Sequence, residues 1–305
     1  MQLHQITHKN NLLNHIHIHH KHLSVKLFPN LGGSVQELIV NDTNIIDGIT
    51  IDEEGLKDYK STYKSSVLFP FPNRIEDGAY DYKGNSYQCE INEPAVNNAI
   101  HGLVYNKPFE MVECQIYEER AKIILRYVSD GNLPGFPFPF QLDLVYRISF
   151  QGGLSLSFIA KNTGKESFPY GMGWHPYFCT ENLSDASFSF SSKDFYACNN
   201  RSIPFNTKDS ELPKEFTLED KTFDDAYSLN NARCDFNSDS FNLSLDFKYP
   251  EGTYLQIYTP PHRKSIAIEP MTCVANSFNN QIGFAELKPG DSDTWRIDLF
   301  YITKS

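Results

Sequence analysis

No stretch of this 305-residue chain approaches the roughly 20 consecutive apolar residues that a membrane-spanning helix needs. The first residues, MQLHQITHKNNLL, contain no apolar core of the secretory kind, so export is not expected. Positive charge is scarce: 27 Lys and Arg stand against 38 Asp and Glu, a net charge of -11. A nucleic-acid partner, which favours a basic face, is therefore not expected. The six cysteines (89, 114, 179, 198, 234 and 273) are scattered with no close pair, unlike a zinc site or a disulfide framework. A reducing, cytoplasmic setting is the expectation. No G-x-x-x-x-G-K nucleotide loop is present. Long amphipathic helical patterns are almost missing too, and the best helix candidate is about 53–65 (EEGLKDYKSTYKS).

What the chain has instead is alternation. Phe140, Leu142, Leu144, Tyr146, Ile148 and Phe150 share one parity, with Gln141, Asp143, Arg147 and Ser149 on the other. Leu243, Leu245, Phe247 and Tyr249 alternate with Ser244, Asp246 and Lys248, and Trp295, Ile297, Leu299 and Tyr301 alternate with Arg296, Asp298 and Phe300. Successive side chains of a strand point to opposite faces, so each run reads as a strand with one buried face. Turn residues punctuate the runs at Gly32-Gly33, Gly84-Asn85, Asn132–Gly135, Gly152-Gly153, Pro260-Pro261 and Pro289-Gly290. Many strands, short turns and few short helices predict an all-β fold, a large antiparallel β-sandwich. No linker or tandem repeat is visible, so one domain over 1–305 is expected. The polar segment 191–240 is expected to form excursions on one face.

Seven of the ten histidines precede residue 23. His15, His17 and His19 would share a strand face and could bind a divalent metal. A solvated face, with Ile16 and Ile18 packed inward, is the preferred reading, because no carboxylate or cysteine nearby completes a ligand set. No metal and no cofactor are expected. The other three histidines are His101, beside Gly102; His175, in Gly173-Trp174-His175-Pro176-Tyr177-Phe178; and His262, expected to be exposed after Pro260-Pro261. Glycine lets the backbone turn tightly or approach a ligand, and aromatic rings suit a sugar face. Glu269, followed by Pro270, lies on the parity opposite Ile266 and Ile268 and reads as a partly enclosed carboxylate, whose pKa enclosure would raise. Asp224-Asp225 forms a second acidic site, and Arg74 sits in a proline-rich bend where it could equally be a surface ion-pair partner.

These pieces carry a resemblance. In order, PFPNRI (70–75), NNAIHG (97–102), GWHPYF (173–178), FDDAY (223–227), LQIYTP (255–260) and IEPMT (268–272) resemble the motifs of the aldose 1-epimerase, or mutarotase, family across nearly the whole chain. The resemblance implies a galactose mutarotase-like sandwich binding a hexose in an open cleft, as a monomer or homodimer. It implies Glu269 as general base, His175 as general acid and His101 as a second active-site histidine. Arg74 with Asn73, Asp224 and Gln256 would bind the sugar. Asp225 carries no implied role. The chain departs from galactose mutarotases at Tyr258-Thr259-Pro260-Pro261, where those carry a longer YTGN-like segment. A sister branch acting on glucose 6-phosphate tends to have a basic residue after the sugar-binding aspartate. Asp225 stands there instead, which implies an unphosphorylated aldose. A non-catalytic sugar-binding or sensing module on the same fold is the alternative. An accessory domain of a lyase or glycosidase is more remote.

One geometric expectation comes from the residues alone. Strands 254–259 and 265–269, joined by a short Pro-Pro turn centred near His262-Arg263, should pair with Gln256 opposite Glu269 and both side chains on one face.

Overall fold

The computed structural model describes residues 1–150, 153–250 and 252–304. Strands make up 53% of it and helices 7%, so packing is decided by sheet faces. An antiparallel five-stranded sheet comes first, in chain order: Gln2–Ile6, His15–His20, Leu23–Phe28, Ser34–Val40 and Thr43–Asn44. Among the described residues a second antiparallel sheet holds fifteen strands. Its main path runs Glu110–Ile116, Arg120–Ser129, Phe140–Ser149, Gly153–Asn162, Ser292–Thr303, Phe241–Asp246, Asp224–Asn237, Tyr254–Tyr258, Ser265–Met271, Gly173–His175 and Ser66–Leu68. The last long strand thus closes a gap between strands far apart in sequence.

The alternating runs bury the expected faces. Phe140, Leu142, Leu144, Tyr146 and Ile148 are buried, as are Leu243, Leu245, Trp295, Ile297 and Leu299. They join Ile16, Ile18, Val25, Leu27 and Leu38 of the first sheet in one continuous core. Each such aliphatic or aromatic side chain contributes about 1.5–3 kcal/mol on leaving water. The two sheets also meet through polar atoms: the buried Tyr146 hydroxyl donates to the Gly33 carbonyl at 2.7 Å. Gly33 has φ +70°, and a Cβ there would lie 2.7 Å from Leu144, so a side chain would push the sheets apart.

Several details differ from the sequence reading. Asp143, on the polar parity, is buried, because Arg126 on the neighbouring strand grips both its oxygens at 2.7 and 2.6 Å. The strand containing Leu243 ends at Asp246, although Phe247 and Tyr249 remain buried beyond it. The helix is Glu53–Thr62. Asp52 caps its start by accepting the Gly55 N–H, and Tyr63, left-handed at φ 52°, stops it three residues early. A second helix, Ser277–Asn280, had no sequence signal. The polar segment 191–240 does not leave the sheet: Pro204–Asp209 and Glu215–Thr217 pair with Ser187–Cys198 as a side branch, which pairs with Asp224–Asn237 on the main path. Of the turn at 152–153, Gly152 lies outside the described residues, and Gly153 opens a strand.

In the histidine run Ile16 and Ile18 pack inward, but the face is not fully solvated. His15 is 5% exposed and stacks on Phe28, and the His17 ring bonds the Ser24 hydroxyl at 2.9 Å. Among the described residues no group of three or more His, Cys, Asp or Glu is arranged to hold a metal ion. The six cysteines are free. No helix among the described residues is long and apolar enough to cross a membrane.

Candidate active site

The site is built on the hairpin of Tyr254–Tyr258 and Ser265–Met271. Gln256 pairs with Glu269, Ile257 with Ile268 and Tyr258 with Ala267. Opposed residues of an antiparallel pair share a face, and both Gln256 and Glu269 line one cavity. Leu255, Ile257, Ile266 and Ile268, on the other face, are fully buried and form the floor beneath it. On the far side of the Glu269 strand, Gly173 pairs with Met271 and Tyr177 with Ala267. These flanking pairs share one register, in which His175 faces Glu269. The carboxylate is thus held between an amide and an imidazole by backbone pairing. Glu269 is not at the strand's end: the strand continues through Pro270 to Met271.

The cavity has a volume of about 520 Å³. Asn73, Arg74, His101, His175, Asp224, Gln256 and Glu269, drawn from six separate parts of the chain, all line it. His175 Nε2 lies 3.4 Å from Glu269 Oε1. The His101 ring meets the His175 ring edge-on, centroids 4.8 Å apart, and Tyr177 stacks on the other side of His175 at 5.2 Å. A second group of side chains is linked by hydrogen bonds. Arg74 Nη1 donates to Asn73 Oδ1 at 3.2 Å, Asn73 Nδ2 to Gln256 Oε1 at 3.2 Å, and Gln256 Nε2 to Asp224 Oδ1 at 3.0 Å.

Local backbone geometry puts these groups in place. Asn73 and His101 are both left-handed, at φ 55° and 63°, and the His101 N–H donates to the Asn73 carbonyl at 2.8 Å. Gly102, at φ +73°, passes so close to the Phe69 carbonyl that a Cβ would lie 2.4 Å from it. Gly173 likewise lets the His175 strand approach Pro72, with 2.7 Å to an added Cβ.

Three buried polar atoms in this cluster have no hydrogen-bond partner in the protein: Glu269 Oε2, His175 Nδ1 and His101 Nδ1. Buried polar groups are ordinarily satisfied, so these three atoms set the cluster apart from the rest of the core. Burial dominates the electrostatics. It pushes the Glu269 carboxyl well above its usual range, with help from the Asp224 charge, while Arg74 pulls the other way. Burial also depresses His175 to about 3, aided by the Arg74 charge. His101 is driven well below its ordinary value by burial, then by His175 and Arg74. Burial thus favours the protonated form of the Glu269 carboxyl and the neutral form of both imidazoles.

Several placements were not foreseen. Arg74 is not free to act alone: Glu93 holds it bidentately, Nε and Nη2 each at 2.8 Å. Glu93 lines the cavity but has no motif of its own. Tyr63, Tyr177 and Tyr258 also line it, whereas Trp174 and Phe178, the other rings of the GWHPYF piece, are fully buried in the core. Tyr177 and Tyr258 lay inside quoted motifs; strand parity was the signal that could have separated them from Trp174. Asp225 is on the face away from the cavity. It pairs with Ile257 and lines a separate hollow with Phe195 and Tyr227. Consecutive strand residues point oppositely, so Asp225 does not reach the sugar site and its presence after Asp224 carries nothing about phosphate there. His262 is exposed in its turn.

Comparison with known proteins adds the following. Curated proteins include YihR of Escherichia coli K12, described as uncharacterized and 31% identical over 238 residues, 73% of this chain and 74% of that one. Among solved structures, a galactose mutarotase-like protein from Clostridium acetobutylicum aligns with a TM-score of 0.85 at 23% identity, covering 95% and 96% of the two chains. A galactose 1-epimerase from Lactobacillus acidophilus aligns with a TM-score of 0.80 at 16% identity, covering 100% and 99%. At these identities the structures show a shared fold, the galactose mutarotase-like one. The aldose 1-epimerase family model matches residues 14–299. With nearly its whole length inside that match, the chain belongs to the aldose 1-epimerase family.

Proposed function

We propose that the protein is an active aldose 1-epimerase that interconverts the α and β anomers of an unphosphorylated aldose. One observation carries the reading: a carboxyl and an imidazole 3.4 Å apart, each with a buried, unpartnered atom, in a cavity of about 520 Å³. A sugar-binding module needs hydroxyl contacts but gains nothing from a desolvated proton donor and acceptor side by side.

The chemistry needs one proton removed and one delivered. Glu269, as carboxylate, takes the proton of the C1 hydroxyl. The O1 electron pair forms the carbonyl, the bond from C1 to the ring oxygen breaks, and that oxygen takes a proton from His175. Rotation about C1–C2 turns the aldehyde, and the ring oxygen adds to its other face as the two protons return. Burial favours the neutral forms of both groups, so substrate hydroxyls and Arg74 must stabilise the ionised carboxylate at the moment of transfer. His101, beside His175, orients the ring oxygen. Asn73, Arg74, Gln256 and Asp224 offer alternating donors and acceptors to the remaining hydroxyls. Arg74, half-buried in the cavity wall, is already paired with Glu93, which favours a neutral sugar over a phosphorylated one there. Polarimetry of freshly dissolved α-glucose, α-galactose and glucose 6-phosphate tests this. Acceleration over the spontaneous change is expected for an unphosphorylated sugar, and none for any of them would refute the proposal.

A further inference from the structure

The wall of the cavity that holds Glu93 is a short loop, and its fixation comes from outside the site. Asn92, Glu93, Pro94 and Ala95 face the cavity. The loop closes on itself where the Glu93 N–H donates to the Asn98 carbonyl at 3.1 Å and the Asn98 N–H to the Glu93 carbonyl at 3.2 Å. Its outer side is gripped by Arg201, from the turn between Ser187–Cys198 and Pro204–Asp209. The Arg201 guanidinium donates to the carbonyls of Val96 and Asn97 at 2.8 and 2.9 Å and to Asn98 Oδ1 at 3.1 Å. It also pairs with Glu76 at 3.0 Å and Asp77 at 2.8 Å.

Asn98 transmits this grip inward. It is fully buried, and its Nδ2 donates both to the Arg201 carbonyl at 3.0 Å and to Glu93 Oε2 at 3.1 Å. Glu93 holds Arg74, and from Arg74 the bonds continue through Asn73 and Gln256 to Asp224. We infer that Arg201 is a positioning residue for sugar binding: through Asn98 and Glu93 it fixes the Arg74 guanidinium and the wall that meets the sugar's hydroxyls. The inference rests on the epimerase reading above. The proton-transferring pair, Glu269 and His175, stands on other strands and is not on this path, so the effect falls on binding more than on turnover. The shape of the guanidinium matters, because five acceptors in several directions cannot be met by one ammonium group.

The test uses the full chain with Arg201→Ala and Arg201→Lys. Amide hydrogen exchange at Val96, Asn97 and Asn98, whose N–H groups bond within the loop, should quicken about tenfold or more in Arg201→Ala. KM for α-galactose or α-glucose, whichever the wild type turns over, should rise about tenfold while kcat stays within about twofold. Lysine should recover little of the KM, and added methylguanidinium should lower the KM of Arg201→Ala. Unchanged exchange in the loop would overturn the clamp. Faster exchange with KM unchanged, or a fall in kcat alone, would overturn the positioning role. Asn98→Ser, which breaks the same path one step further in, gives the same readings should Arg201→Ala not fold. A wild type that turns over neither sugar would remove the epimerase reading and leave exchange to decide the clamp.

Discussion

Replacing Glu269 by glutamine should make stability fall less with rising pH than it does in the wild type. The side chain is 2% exposed, and burial raises its pKa well above the ordinary 4.5. A carboxyl with a raised folded-state pKa keeps a proton that the unfolded chain has released. Its contribution is complete below the unfolded value and is lost as pH rises through the folded value. Between the two, each pH unit costs the wild type about 1.4 kcal/mol, because one pKa unit of difference corresponds to that free energy. Glutamine keeps the shape and has no proton to lose. The buried histidines, which titrate in the opposite sense, are present in both proteins, so the difference between the two curves reports the loss of the Glu269 carboxyl together with its contact to His175. From pH 5 to pH 6 the variant should therefore gain about 1.2 kcal/mol on the wild type, since the unfolded carboxyl is not yet fully ionised at pH 5. For a chain of this length that corresponds to about 2 °C in Tm. Calorimetric unfolding of both proteins at the two pH values measures it. Parallel curves would mean that Glu269 titrates normally, and the desolvated-carboxyl account would be wrong.

Other expectations concern single residues. His175→Asn should lower turnover by about a hundredfold or more, since the ring oxygen loses its proton donor. His101→Asn should be milder, and asparagine suits the left-handed backbone there; a larger loss at His101 would reverse the two roles. Gly102→Ala should destabilise by more than about 1 kcal/mol and impair activity, since a Cβ 2.4 Å from the Phe69 carbonyl must displace the segment bearing His101; an unchanged Tm would contradict that. Dialysis against a chelator should change neither rate nor sugar binding, and activity restored by zinc or nickel would return attention to the N-terminal histidines.

The fold was legible because some of its strands, such as Phe241–Asp246 and Ser292–Thr303, carry one apolar face that shows as alternation in the sequence. The pairing of Gln256 with Glu269 was legible for a related reason, since a short turn leaves few registers and parity places the side chains. The same rule, applied to Asp224-Asp225, would have placed the second aspartate on the far face. What the sequence hid depends on contacts remote along the chain. Glu93 meets Arg74 across 19 residues, Arg201 reaches the same loop from over 100 residues away, and His15 is buried by Phe28 on another strand. The early helix stop at Tyr63 is a backbone conformation that tyrosine seldom adopts.

The central claim is that Glu269 and His175 form a working proton-transfer pair for an aldose. Initial rates of optical-rotation change, measured near neutral pH on fresh α-glucose and α-galactose with wild type and with folded Glu269→Gln, test it most directly. The account predicts that the wild type accelerates the change for one of these sugars and that the variant retains less than about 1% of that acceleration. No acceleration by the wild type on either sugar, or equal acceleration by the variant, would contradict it.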